Sequence, residues 1–138
     1  MEKTGYKSII RLALLAVLIY ILGCDKQENQ ENGFLEGTVS IGPLCPVETD
    51  PPSPGCLPTA ETYKAYPVSV WAADGSIKVA AIDPALDGSF KIELMPGNYR
   101  IILEKQQNGV GGSNLPQEVT INPSGKTSVN VEIDTGIR

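Results

Sequence analysis

The sequence predicts an all-β fold: an antiparallel Greek-key sandwich of about seven strands, beginning near Phe34 after an apolar N-terminal segment. Three observations predict it. Apolar residues alternate with polar ones in short runs from Phe34 onward. No run in that region carries a helical period. The joints between runs carry Asp-Gly and Pro-Gly turn chemistry. A two-residue period means one buried face and one wet face, which is the signature of packed antiparallel sheets.

Taken in order, "FLEGTVSI" sets Leu35, Gly37, Val39 and Ile41 on one face, and "YPVSVWA" aligns Tyr66, Val68, Val70 and Ala72. "IKVAAI" places Ile77, Val79 and Ala81 together. "SFKIEL" sets Phe90, Ile92 and Leu94 against Ser89, Lys91 and Glu93. "NYRIILE" gives Tyr99, Ile101 and Leu103; "EVTI" gives Val119 and Ile121; "SVNVEI" gives Val129, Val131 and Ile133. "ADGS" at Ala73 to Ser76 and "LDGS" at Leu86 to Ser89 are hairpin signals, and "MPGN" at Met95 to Asn98 suits a type II turn. "NPSGK" is a further turn, and "QQNGVGGSN" a long glycine-rich connection. Gly42 to Lys64 is longer still and holds two cysteines.

The N-terminal segment gives an address. Lys3, Lys7 and Arg11 precede an uninterrupted apolar run, Leu12 to Leu22, then Gly23 and Cys24. The run is shorter than the roughly 20 residues a spanning helix needs, so residues 1–23 read as a secretory signal. A buried core helix would show a polar face, and this run has none. "ILGC" resembles the lipobox of bacterial lipoproteins. The resemblance implies that Cys24 carries lipid and becomes the mature N-terminus, tied to a membrane of the cell envelope, on its periplasmic or extracellular side. Two or more acyl chains hold a protein stably at a bilayer where one gives marginal binding. Residues 24–33, "CDKQENQENG", are polar and read as a flexible tether to a domain at 34–138.

Charge and cysteine usage follow from that address. Losing Lys3, Lys7 and Arg11 together with Glu2 takes the formal charge from −5 to −7. Such a surface repels nucleic-acid phosphates, so no nucleic-acid partner is expected. With Cys24 lipidated and the domain exported, Cys45 and Cys56 form an even pair in an oxidising compartment, and a disulfide is expected. Closing such a loop contributes roughly 2.8 kcal/mol in the chain-entropy model. The alternatives are a metal site using Glu48 or Asp50, and a redox centre. The chain has no histidine, and the spacing is far from Cys-x-x-Cys, which disfavours both.

"GTVSI", "YPVSVWAADG", "DPALDGSFKIELMPGNYRI" and "VTINPSGKTSVNVEI" resemble the carboxypeptidase regulatory-like domain. The resemblance covers about Phe34 to Ile133 and implies a transthyretin-like (prealbumin-like) sandwich. Its most typical residues here are Asp87, Gly88, Phe90, Leu94, Pro96, Gly97 and Tyr99. Gly88 and Gly97 are expected to take positive φ, and Tyr99 to fill the core while its hydroxyl finds a backbone acceptor. The Cys45–Cys56 insertion and the ending "DTGIR" depart from the family pattern.

Chemistry is sparse. Enzymes on this sandwich rely on histidines, which the chain lacks, and the zinc domain of carboxypeptidases is absent. No Gly-x-Ser-x-Gly or P-loop is present. Glu48 with Asp50, and Asp83 with Asp87, are the carboxylates that could act as a dyad or hold calcium; solvated loop charge is the plainer reading. Trp71 has the opposite parity to Val68 and Val70 and should face away from the core, with Tyr63 nearby in the approach to the same strand. Both are candidate ligand contacts, able to stack on sugar or anchor a protein. The plainer reading, and the one expected here, packs Trp71 under the cysteine loop. The expected function is therefore a non-catalytic, lipid-anchored envelope module that binds or scaffolds, without cofactor. Its partners would be the membrane, through Cys24, and an envelope protein or glycan; carbohydrate binding is the alternative.

Overall fold

The computed structural model describes residues 31–47, 49–105 and 111–138. The apolar run and Cys24 lie outside the described residues. The strands are β1 (Gly33–Gly42), β2 (Val68–Ala72), β3 (Lys78–Ile82), β4 (Ser89–Leu94), β5 (Gly97–Leu103), β6 (Gly112–Ser113), β7 (Gln117–Ile121) and β8 (Lys126–Asp134). They form two four-stranded sheets, in the orders β4-β1-β8-β6 and β3-β2-β5-β7. Each of the seven alternating runs became a strand; the two-residue β6 is an eighth, too short to carry a period. The expected sandwich is present, with one exception to its antiparallel character. β1 and β8 pair in parallel, Phe34 opposite Lys126 through Gly42 opposite Asp134.

The parallel pair follows from the layered path of the chain. β1 and β8 are separated by the whole second sheet, and such a crossover can return a strand parallel to its partner. Their inward residues make the floor of the core. Leu35, Val39 and Ile41 face Val68, Val70 and Ile101 of the other sheet, and Val129, Val131 and Ile133 extend the same floor. Leu35, Val70, Ile101 and Val131 are wholly shielded from solvent.

Glycine sets how close β1 and β8 come. A Cβ added at Gly37 would stand 1.7 Å from the Val129 carbonyl oxygen, a position no real atom can take. A glycine inside a strand often marks such a backbone approach. Gly88 does the other job of glycine. Its φ of +82° closes the "LDGS" turn, and Asp87 caps that turn by accepting from the Ser89 amide and hydroxyl. The "ADGS" turn is built the same way around Asp74 and Gly75.

Four expectations are corrected. In "IKVAAI" the inward residues are Ala80 and Ile82, not Ile77, Val79 and Ala81. Val70 pairs with Ala80 but Trp71 pairs with Lys78, so Val79 is the extra residue of a bulge that switches faces. Gly97 takes no positive φ, and "MPGN" is therefore not a type II turn. Gly97 lies against the Tyr99 ring, 3.7 Å from where a Cβ would be. The positive φ in "NPSGK" falls on Ser124, at 53°. Finally, Ala60–Ala65 form a helix, α1, capped by Thr59 and Thr62, in a stretch with no helical period. β1 also begins at Gly33, within the segment read as tether, and Asn32 and Glu31 hydrogen-bond to Glu93 and Ser124. Tyr99 behaves as expected: its hydroxyl donates to the Met95 carbonyl at 2.8 Å.

Two outcomes are expected. Gly37→Ala should force β1 and β8 apart and lower stability by about 3 kcal/mol or more, as read from urea melts, since overpacking against backbone has no side chain to give way. Asp134 accepts from the Arg138 guanidinium and the Gly136 amide, and those bonds hold its carboxyl at about 2, below the ordinary 3.8. Its contribution to stability is therefore present above the unfolded value and lost as pH falls through about 2. Asp134→Asn should flatten the loss of stability between about pH 4 and pH 2 in acid melts.

Candidate functional site

The sandwich has two distinct ends. β1 starts beside Leu94 and Lys126, so the tether enters at the end that carries the 122–125 turn. The other end carries the cysteine loop, α1 and the Asp87 turn. Cys45 and Cys56 are joined there by a disulfide, with Cα atoms 5.6 Å apart, as the sequence led us to expect. The loop is tied down at its start. Thr135, itself buried, donates its amide to the Gly42 carbonyl and its hydroxyl to the Pro43 carbonyl. The residues that follow β8 therefore clamp the root of the cysteine loop.

Tyr63 is not an exposed ligand contact, and that expectation is corrected. It lies on α1 at 8% exposure, within the core cluster. Burial, and then the Asp87 charge, push its phenol above the ordinary value. The reason it could not be foreseen is that six residues are too few to reveal a helical face. Of the carboxylate candidates, Asp87 is committed to Ser89 in its turn. Glu48 lies outside the described residues. Among the described residues no three His, Cys, Asp or Glu side chains come together to hold a metal.

Trp71 is on the outer face of the second sheet, as its parity requires, and half-buried. What shelters it is local. Its indole N–H donates to the Ser69 hydroxyl, two residues back on the same strand, at 2.7 Å. That bond ties the edge of the ring to Ser69, which is completely buried although it faces outward. The Lys78 ammonium, and after it the Ser69 hydroxyl, hold the Glu104 carboxyl below its usual range. The cysteine loop is rooted on the first sheet, at Gly42 and Pro43.

Around the ring the face is polar and ordered. Lys78, Trp71, Arg100 and Glu118 form one row across β3, β2, β5 and β7. Lys78 pairs with Glu104 at 2.5 Å and Arg100 with Glu118 at 3.1 Å. Three hollows border the row. One of about 360 Å³ lies toward α1 and includes Lys64, Pro67, Lys78, Asp83 and Glu104. A second, of about 320 Å³, includes Asn98, Glu118 and Thr120. A third, of about 270 Å³, includes Arg100, Ile102 and Leu115. Sequence parity located Trp71. Its partners were invisible there, because Ser69, Arg100 and Glu118 read as ordinary wet-face residues until the strand order brings them side by side.

Comparison with known proteins supports the fold alone. The minor pilin GBS52 from Streptococcus agalactiae matches with a TM-score of 0.50 at 16% identity, over 76% of this chain and 45% of that one. A DUF3823 family protein from Parabacteroides merdae matches with a TM-score of 0.45 at 22% identity, over 76% of this chain and 47% of that one. A second DUF3823 protein, from Bacteroides ovatus, gives 0.43 at 15% identity, over 72% and 44%. The chain thus spans less than half the length of each of these structures. No protein-family model and no curated protein matches it.

The link between Ser69 and Trp71 is measurable. Ser69→Ala and Trp71→Phe each remove the same hydrogen bond, so a double-mutant cycle by urea melt should return a coupling of about 1 kcal/mol. Additive effects would mean that the indole is held by something else.

Proposed function

We propose that this chain is a non-catalytic β-sandwich module, held at a bacterial membrane by lipid on Cys24, that binds or scaffolds in the cell envelope. The observation that carries the proposal is the Cys45–Cys56 disulfide. A disulfide fits an exported domain, and using both of these cysteines leaves Cys24, after "ILG", as the third of the chain's three. The placement of the tether supports the same reading. With β1 starting at one end, a short polar leader from Cys24 sets that end toward the bilayer and the stapled loop away from it.

A non-catalytic role is supported by the state of the polar groups. The chain has no histidine. Its perturbed carboxylates are tied into turns or ion pairs: Asp74 and Asp87 to serines, Glu104 to Lys78, Asp134 to Arg138. Groups so committed stabilise loops and strands rather than move protons. The carbohydrate-binding form of this reading is favoured by one observation, an indole on the outer face of the second sheet whose N–H is already bonded to Ser69.

Cys24→Ala should abolish incorporation of a clickable fatty acid in cells, and the precursor should persist unprocessed. Unchanged labelling of the variant would reject the anchor. Replacing Cys45 and Cys56 together by alanine should lower stability by about 2–3 kcal/mol in urea melts, without affecting labelling.

A further inference from the structure

The geometry points to the outer face of the β3-β2-β5-β7 sheet as a binding platform for a neutral polysaccharide, with Trp71 as its stacking residue. The inference deepens the binding-module reading above by naming a ligand class and a site. Its geometric observations are independent of the lipid anchor.

The first observation is the posture of the ring. The indole N–H is already satisfied by Ser69, so what Trp71 offers a ligand is the face of the ring and not its polar edge. A ring whose edge is held by a buried hydroxyl is preorganised, and a ligand need not immobilise it on binding. A pyranose presents a flat patch of C–H groups suited to such a face.

The second is charge. The cation on each side of the ring is matched by a carboxylate, Lys78 by Glu104 and Arg100 by Glu118. The platform therefore offers donors and acceptors with no net charge beside the aromatic. That suits hydroxyl groups, which donate and accept, better than a phosphate or a uronate. The charge of −7 left after removal of residues 1–23 further disfavours an acidic polymer.

The third is shape. The hollows lie on both sides of the Trp71 row, toward α1 and toward the tether end. Asn98 and Thr120, already hydrogen-bonded to each other at 2.8 Å, add polar groups in the second hollow. A single monosaccharide would use one hollow; a chain running across the ring would use several. An extended peptide would instead be expected to add to a sheet edge, and a folded protein to seek a more apolar centre than this row provides.

Trp71 is the chain's single tryptophan, so its emission reports the site directly. Full-length protein in detergent is titrated with soluble neutral polysaccharides (β-glucan, xylan, α-mannan, starch) and, as controls, polygalacturonate and a phosphorylated mannan. The expected result is a saturable change in emission with at least one neutral polymer, matched by retardation in affinity gels. Arg100→Ala and Glu118→Gln should each weaken the retardation severalfold. Trp71→Ala should weaken it about tenfold or more, with Trp71→Phe partly restoring it. Far-UV circular dichroism confirms that each variant is folded. No saturable change with any neutral polymer, preference for the acidic polymers, or undiminished binding by Trp71→Ala would overturn the inference. Fatty-acid labelling of Cys24 reads the anchor separately, so loss of one leaves the other standing.

Discussion

The constraint on which the rest of the structure depends is the close parallel pairing of β1 with β8 through Gly37. These are the first and last strands, and they lie side by side in the middle of one sheet. Their contact cannot form until the chain between them has crossed to the other sheet and back. It therefore closes the sandwich, and it brings Val39 and Ile41 level with Val131 and Ile133 in the core. A side chain at position 37 would meet the backbone of β8, not a movable neighbour. The non-local pairing that makes the fold slow to assemble also makes both ends of the domain indispensable to it.

The same pairing fixes where the unusual parts of the chain go. Because β1 and β8 run in parallel, they end together, and Gly42 and Asp134 face each other at the end away from the tether. The insertion that follows β1 and the tail that follows β8 therefore emerge together. Thr135 closes onto Gly42 and Pro43 while Asp134 holds Arg138. The disulfide then orders the remainder of a loop rich in proline, and α1 returns the chain to β2 with Tyr63 and Tyr66 as plugs in the core.

Much of this was legible in the sequence because a sandwich writes its core with a period of two. Leu35, Val39, Phe90, Leu94 and Ile101 were placed inward by alternation alone, and Asp74-Gly75 and Asp87-Gly88 marked their turns by a mechanism that is local. What was not legible was set by neighbours in space. Val79 looks inward until the bulge between β2 and β3 turns it out. Tyr63 looks like loop because α1 is shorter than two helical turns. Gly97 looks like a turn glycine, yet it takes no positive φ and stands at the start of β5. At the candidate site, parity alone brought Trp71 to the outer face, whereas Ser69 could be recognised only once its burial and its bond to the indole were known.

Ser69 is the residue that separates a decorative surface tryptophan from a built one. An outward-facing serine in a strand is ordinarily solvated, and burying its hydroxyl has a cost unless partners are supplied. Here the indole N–H supplies one. The strand could have spared that cost with an exposed Ser69 and a ring projecting into water. Instead the indole edge is tied to Ser69, and on the neighbouring strands Lys78 pairs with Glu104. The outcome is a half-buried indole, its edge held by Ser69, in one row with Lys78 and Arg100, each of which is paired with a carboxylate.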